Sequence, residues 1–189
     1  GTNITITVTT GASCSDDLAV TAPDCSCPTI VAPVSTGDQS YCAGGTVPTL
    51  EVNSVPAGIE VDWYEASTGG VAVATNTLTY TPLAAGTYYA EAREAVSGCT
   101  STTRTAIEVT VNALPTAVIT GDASVCQNGT LQLTGSGATD LSWNGGAYAA
   151  VTTYDVTTTA SGSHNITLKV RDANLCESAG ETFTVTVNA

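Results

Sequence analysis

Apolar and polar side chains alternate one by one through most of this chain. The alternation is plain in TNITITVTT (2–10), IEVDWYE (59–65), LTYTP (78–82), TYYAEARE (87–94), TAIEVTVN (105–112), TLQLTG (130–135), NITLKVRD (165–172) and ETFTVTVN (181–188). A period of two sends successive side chains to opposite faces, so each stretch reads as a β-strand with one covered face and one wet face. Val, Ile, Thr and Tyr fill these stretches, and Gly, Pro and Asn separate them. No window combines a 3.6-residue apolar period with a helix cap. The pattern predicts an all-β protein, and its many short, evenly spaced strands predict a sandwich.

The pattern is also written twice. GDQSYCAGG (37–45), Trp63, Gly86, Cys99 and the strand ending at Ala113 return as GDASVCQNG (121–129), Trp143, Gly162, Cys176 and the strand ending at Ala189. Two domains follow, repeat A over 28–113 and repeat B over 114–189. Residues 1–27 hold a strand, a loop with Cys14 and a second strand, then a linker, which is the layout of the closing hairpin of both repeats. They are expected to be the end of a preceding, truncated repeat. The chain opens directly on a strand pattern with no signal peptide, so the expectation is an internal piece of a longer protein.

Charge narrows the function. Arg93, Arg104, Lys169 and Arg171 stand against seventeen acidic residues, a net charge of −13. Phosphate backbones are bound through Lys and Arg that displace counterions, so nucleic acid and anionic membrane surfaces are poor partners for this chain. No apolar run approaches the roughly 18 residues of a membrane span. Seven cysteines in a Thr-rich, Met-free chain point to an oxidising, extracellular setting.

Two pairings of the repeated cysteines stay open. One bridge per domain gives Cys42–Cys99 and Cys126–Cys176. Yet in an immunoglobulin-type sandwich these two cysteine positions lie at opposite poles, and a disulfide needs Cα atoms within about 7 Å. The rival pairing is Cys42–Cys176, which staples one repeat to the next. Cys14 corresponds to Cys99 and Cys176, and its expected partner lies upstream of residue 1. Cys25 and Cys27 form a CxC in the first linker, read as an interdomain or linker disulfide rather than a metal site, because zinc sites usually take four ligands in two spaced pairs.

Candidate chemistry is sparse. His164, the only histidine, falls where repeat A has Tyr88 and reads as a sandwich-edge residue. Glu60, Asp62 and Glu65 flank Trp63, and alternation turns Glu60 and Asp62 to the outer face as solvated charges. Asp16–Asp17, Asp38 and Asp122 fall at turns or junctions, where Asp commonly satisfies backbone donors; Asp38 and Asp122 are weak candidates for a junctional calcium site. No cofactor is expected beyond that calcium. Trp63 and Trp143 occupy the core-tryptophan position of a sandwich. Tyr64 and Tyr148, the candidate exposed aromatics, are too few to form a sugar-binding row. Asn3, Asn128 and Asn165 match N-x-[ST]. No catalytic set emerges, and the chain is expected not to be an enzyme.

Repeat A, with CAGG, WYEASTGGVAVATNTLTYTPLAAGTYYAEA and SGCTSTTRTAIEVTV, resembles the immunoglobulin-like repeats of very large Bacteroidota surface proteins. Repeat B, with VCQNGTLQLTGSGATDLSWNGG and GSHNITLKVRDANLCES, resembles the polycystic-kidney-disease-like variant, without that variant's WDFGDG-like turn after the tryptophan. The resemblance implies tandem immunoglobulin-like β-sandwich domains in a type 9-secreted, gliding-adhesin-like protein. The expected function is a non-catalytic stalk or filament segment of a cell-surface adhesin; the alternative is a carbohydrate- or calcium-binding accessory module of a secreted enzyme. The expected partners are neighbouring repeats, surface glycans, or other copies associating sideways, with residues 1–10 as an available strand edge.

Overall fold

The computed structural model describes residues 26–189 in full and, before them, the backbone of two strands, 3–9 and 15–21. Those strands, β1 (Asn3–Thr9) and β2 (Ser15–Thr21), form an antiparallel hairpin in register from Asn3↔Thr21 to Thr9↔Ser15. Cys14 and Cys25 lie outside the described residues, as do the side chains of Asn3, Asp16 and Asp17.

Repeat A contributes β3 (Gln39–Cys42), β4 (Leu50–Glu51), β5 (Ile59–Tyr64), β6 (Thr79–Tyr80), β7 (Gly86–Glu94) and β8 (Thr105–Asn112). Repeat B contributes β9 (Val118–Thr120), β10 (Ser124–Cys126), β11 (Gln132–Ser136), β12 (Asp140–Trp143), β13 (Thr153–Asp155), β14 (Gly162–Arg171) and β15 (Glu181–Asn188). Among the described residues there is no helix. The fold is an all-β, immunoglobulin-like sandwich. The residues gather into two compact units: one runs up to Thr36 and adds Glu51–Tyr80 and Tyr88–Ile107, while the other takes Gly37–Leu50, Thr81–Thr87 and Glu108–Ala189.

In the second unit, repeat B shows how the period-two pattern becomes a core. One sheet has the order β10-β15-β14-β12, and the other has the order β13-β11-β9. Ile166, Leu168 and Val170 of β14 and Val185 and Val187 of β15 are buried, while the residues between them face outward. From the opposite sheet, Ile119 and Leu133 join Ile166, Leu168, Val170 and Val185 in one apolar cluster. Full burial of each such side chain is worth roughly 1.5–3 kcal/mol, and a one-residue slip of register would turn the whole set to solvent. Repeat A follows the same rule: Val61 and Trp63 of β5, Ala90 and Ala92 of β7, and Ile107 and Val109 of β8 are buried.

Both repeats share one pairing that alternation does not reveal. A short strand ending in cysteine runs parallel to the last strand of its repeat, Cys42 opposite Asn112 in β3/β8 and Cys126 opposite Asn188 in β10/β15. Most segments read as strands from sequence are long ones, though LTYTP (78–82) yields only the two-residue β6. The three-residue strands β9, β10 and β13 are too short to show a period, and their ladder partners hold them extended.

Gly135 sits in β11 where the two sheets of repeat B approach closely. A Cβ there would lie 2.6 Å from Trp143 Cζ2 and 2.8 Å from both Leu141 Cδ2 and Leu168 Cδ2. Gly135→Ala is therefore expected to destabilise by about 1–3 kcal/mol, the usual cost of overpacking. A thermal melt reads this as a fall of roughly 4–8 °C per kcal/mol; an unchanged melt would show that the tryptophan has room to move.

Candidate covalent junction

Each repeat presents its two cysteines in different local structures. The strand cysteine ends its strand and enters a tight turn: Ala43 N donates to Asn112 O at 2.8 Å and Gly45 N to Cys42 O at 2.8 Å, with Gly44 at φ +80°. The loop cysteine sits in the connection before the last strand. In repeat B, Asp172 Oδ1 accepts hydrogen bonds from Asn174 N and Cys176 N at 2.9 Å each, and Leu175 at φ +62° turns the chain into Cys176. In repeat A, Glu94 Oε2 accepts from Ser97 N at 2.5 Å, and Gly98 at φ +73° precedes Cys99.

The bridges run Cys27–Cys99 and Cys42–Cys176, with Cα–Cα distances of 5.5 and 5.4 Å, and Cys126 is a free, exposed thiol. One bridge per repeat, Cys42–Cys99 with Cys126–Cys176, is thus corrected: Cys42 is bonded to Cys176 of the second sequence repeat, both within the second compact unit, and Cys126 is left out. Strand length is the reason. Cys126 is opposite Asn188 at the end of β15, whereas Cys176 lies in the loop leading to Glu181 at its start. At about 3.3 Å per residue the strand separates them by roughly 23 Å, against the roughly 7 Å that a disulfide allows. Cys27, expected to bridge within a linker or between domains, ties the linker just before repeat A to the Cys99 loop.

The tryptophans anchor each sandwich. Trp63 is 0% exposed, and its Nε1 donates to Thr77 O at 3.0 Å. Trp143 is half-buried against the core of repeat B, stacks on Tyr154 at 5.3 Å, and donates from Nε1 to Val151 O at 3.1 Å.

Glu60 and Asp62 are not the solvated charges that alternation predicts, for Arg93 pairs with both. Asp62 is only 4% exposed. The loop after β5 folds back, with Val73 N donating to Trp63 O at 2.7 Å and Asn76 N to Asp62 Oδ1 at 3.0 Å. Arg93 bonds Asp62 at 2.6 Å and Glu60 at 2.5 Å. Burial pulls the Asp62 carboxyl pKa upward, but the hydrogen bonds from Arg93 and the Asn76 amide, with the Arg93 charge, outweigh it and hold it below the ordinary value.

The aromatic candidates are also covered. The Arg104 guanidinium lies 3.3 Å from the Tyr64 ring centroid, bonds Glu91 at 3.2 Å, and donates to Ala66 O and Gly69 O at 2.7 Å each. Arg171 lies 4.5 Å from the Tyr148 ring. Burial, reinforced by the Glu177 carboxylate, pushes the Tyr148 phenol up to about 12. Both tyrosines are half-buried packing residues, with cations against their rings.

Other candidates fall into ordinary positions. His164 Nε2 lies 3.0 Å from Ala160 O on β14. Asp38 Oδ1 accepts from Glu108 N at 2.8 Å, tying the start of β3 to β8, and Asp122 is exposed. Asn128 is exposed in the turn after Cys126, and Asn165 Oδ1 accepts from Thr184 Oγ1 at 2.9 Å. Among the described residues no three His, Cys, Asp or Glu side chains are grouped to hold a metal.

Residues 31–115 match the family model described as "Ig-like domain CHU_C associated". This Ig-like domain overlaps repeat A and takes in the Trp63 core, the Cys99 loop and the Cys42 turn. No curated protein matches the chain. Similar solved structures include the fibronectin(III)-like modules of Clostridium thermocellum CbhA, at 18% identity and TM-score 0.41, covering 85% of this chain and 93% of that one. Another is the amphioxus IgVJ-C2 molecule, at 16% identity and TM-score 0.34, covering 78% of this chain and 99% of that one. The Sidekick-1 immunoglobulin domains 1–5 align at 17% identity and TM-score 0.38, covering 87% of this chain and 41% of that one. With two disulfides and an Ig-like domain, the chain has the character of an extracellular module.

Asp62→Asn removes a charge that Arg93 and a backbone amide both need. It is expected to cost about 1–3 kcal/mol at pH 7 in urea denaturation. The native carboxyl is held below its unfolded value, so its stabilisation is complete above about pH 3.9 and is lost as pH falls through the native pKa. The gap between wild type and variant is therefore expected to narrow below pH 4; a gap constant from pH 7 to pH 3 would show that the ion pair contributes nothing. A second expectation concerns the thiols: of the described cysteines, only Cys126 is alkylated by iodoacetamide before reduction, as peptide mass spectrometry would show.

Proposed function

We propose that this chain is a tension-carrying spacer segment of a large extracellular surface adhesin, built from Ig-like repeats and acting without catalysis. The observation that carries the reading is the Cys42–Cys176 bridge, which ties one repeat to the next. A pull on the chain ends then runs through a covalent bond rather than through the sandwich between the two cysteines. Unbridged repeats in series would unravel one by one under the same load.

The surface chemistry fits a spacer. Each of the four basic residues is paired with a carboxylate: Arg93 with Asp62 and Glu60, Arg104 with Glu91, Lys169 with Glu177, and Arg171 with Asp140. No cationic patch remains for phosphate or an anionic membrane, and the net charge of −13 favours solubility. Its partners in this reading are the adjoining repeats of one long chain, with surface glycans and sideways self-association as further contacts. The resemblance to Bacteroidota surface proteins adds type 9 secretion, cell-surface attachment and a role in gliding adhesion.

Single-molecule stretching tests the reading. The Cys42–Cys176 bond spans 134 residues, so at about 3.4 Å per residue it hides roughly 450 Å of extended chain. Pulled from its ends, the oxidised chain is expected to stop short by that length, and reductant to release it. Full extension without reductant would sink the spacer reading. Saturable binding to a glycan array, or of Ca²⁺ by calorimetry, would replace it with the accessory-module alternative.

A further inference from the structure

The two disulfides obey one directional rule. Each loop cysteine, Cys99 or Cys176, is bonded to a cysteine that lies in the sequence before its own repeat. Repeat B holds a strand cysteine, Cys126, that this rule leaves over.

Cys126 is presented as Cys42 is. Both end a short strand parallel to the last strand of the repeat, opposite Asn112 and Asn188 respectively. The same two backbone bonds close the turn: Gln127 N donates to Asn188 O at 2.6 Å and Gly129 N to Cys126 O at 2.9 Å, as Ala43 and Gly45 do around Cys42. The residue two positions on has positive φ in both, Gly44 at +80° and Asn128 at +61°. Three positions on, a Cβ would press on the cysteine's own carbonyl oxygen in either turn, at 3.0 Å for Gly45 and 2.9 Å for Gly129. The Cys126 turn is further pinned by Asn128 N donating to Thr158 O at 3.0 Å and Gln127 Nε2 to Thr159 O at 2.8 Å. The bonded state of Cys42 is the independent observation that gives this geometry a ligand.

We propose that Cys126 is a covalent docking thiol for the loop cysteine of a following repeat of the same type, one that presents its cysteine as the Asp172–Cys176 loop does. The inference deepens the spacer reading and rests on it. The chemistry is a two-step exchange with a small-molecule disulfide such as oxidised glutathione. The Cys126 thiolate attacks one glutathione sulfur, forming a mixed disulfide and releasing one glutathione thiolate. The incoming loop thiolate then attacks the Cys126 sulfur and releases the second. Two protein thiols are oxidised, one glutathione disulfide is reduced to two thiols, and the two protein protons pass to solvent or to the released thiolates.

The test is the whole chain lengthened at Ala189 by a second copy of residues 114–189. Both repeats end in VNA, so the new junction repeats the sequence of the natural one. After refolding in a glutathione redox buffer, non-reducing peptide mapping is expected to find Cys126 joined to the added copy's counterpart of Cys176. Iodoacetamide labelling of Cys126 is expected to be lost, while the added copy's counterpart of Cys126 stays reactive as an internal control. Equal labelling of the two, in a sample whose melt shows the added repeat folded, overturns the inference. Where that copy does not fold, an extension by residues 28–113 offers the Cys99 loop instead, and free Cys126 beside that folded repeat overturns it equally. Stretching reads the spacer function separately through Cys42–Cys176, so failure of the docking thiol is told apart from failure of the spacer reading.

Discussion

The last strand of each repeat is the ruler on which the rest depends. Eight residues of β8 or β15 run the length of the sandwich, with the strand cysteine registered at one end and the loop cysteine before the other. No side-chain rotation spans roughly 23 Å, so the two cysteines of one repeat cannot meet. Cys42 and Cys99 are each bonded elsewhere instead, to Cys176 and Cys27, and Cys126 remains a free thiol.

A second constraint follows from having few cations. With only four basic residues, a charge left unpaired in a half-buried place would be costly, and each is fixed to a carboxylate. Arg93 and Arg171 perform the same task in the two repeats, joining the end of a long strand to an acidic residue on the strand beside it, Asp62 or Asp140. Arg104 does more, since its guanidinium covers Tyr64 and holds the following loop through two carbonyls. Such buried or half-buried pairs fix where strands and loops sit more than they add to net stability.

These features converge on a mechanical reading. The chemistry is concentrated in cysteines, and the aromatic rings that would serve a glycan site are packed away, Trp63 in the core and Tyr64 beneath a guanidinium. What remains outside is rich in Thr, with scattered exposed apolar side chains such as Val71, Leu83 and Val96.

The period-two pattern by itself determined the all-β class, the long strands and the inward face that carries Trp63, because alternation is a local property of the chain. The repeat in the sequence made the matching cysteines visible in the same way. Solvation was not legible: Asp62 points away from the core as alternation requires, yet the loop that follows β5 folds back and brings the Asn76 amide to its carboxylate. The short parallel strands β3 and β10 were equally hidden, since only their pairing with the last strand makes them strands. Tertiary structure alone decided the disulfides, for which cysteine bonds which depends on register at the far end of a strand. Sequence offered Cys42 two partners, and the length of β8 and β15 left it one.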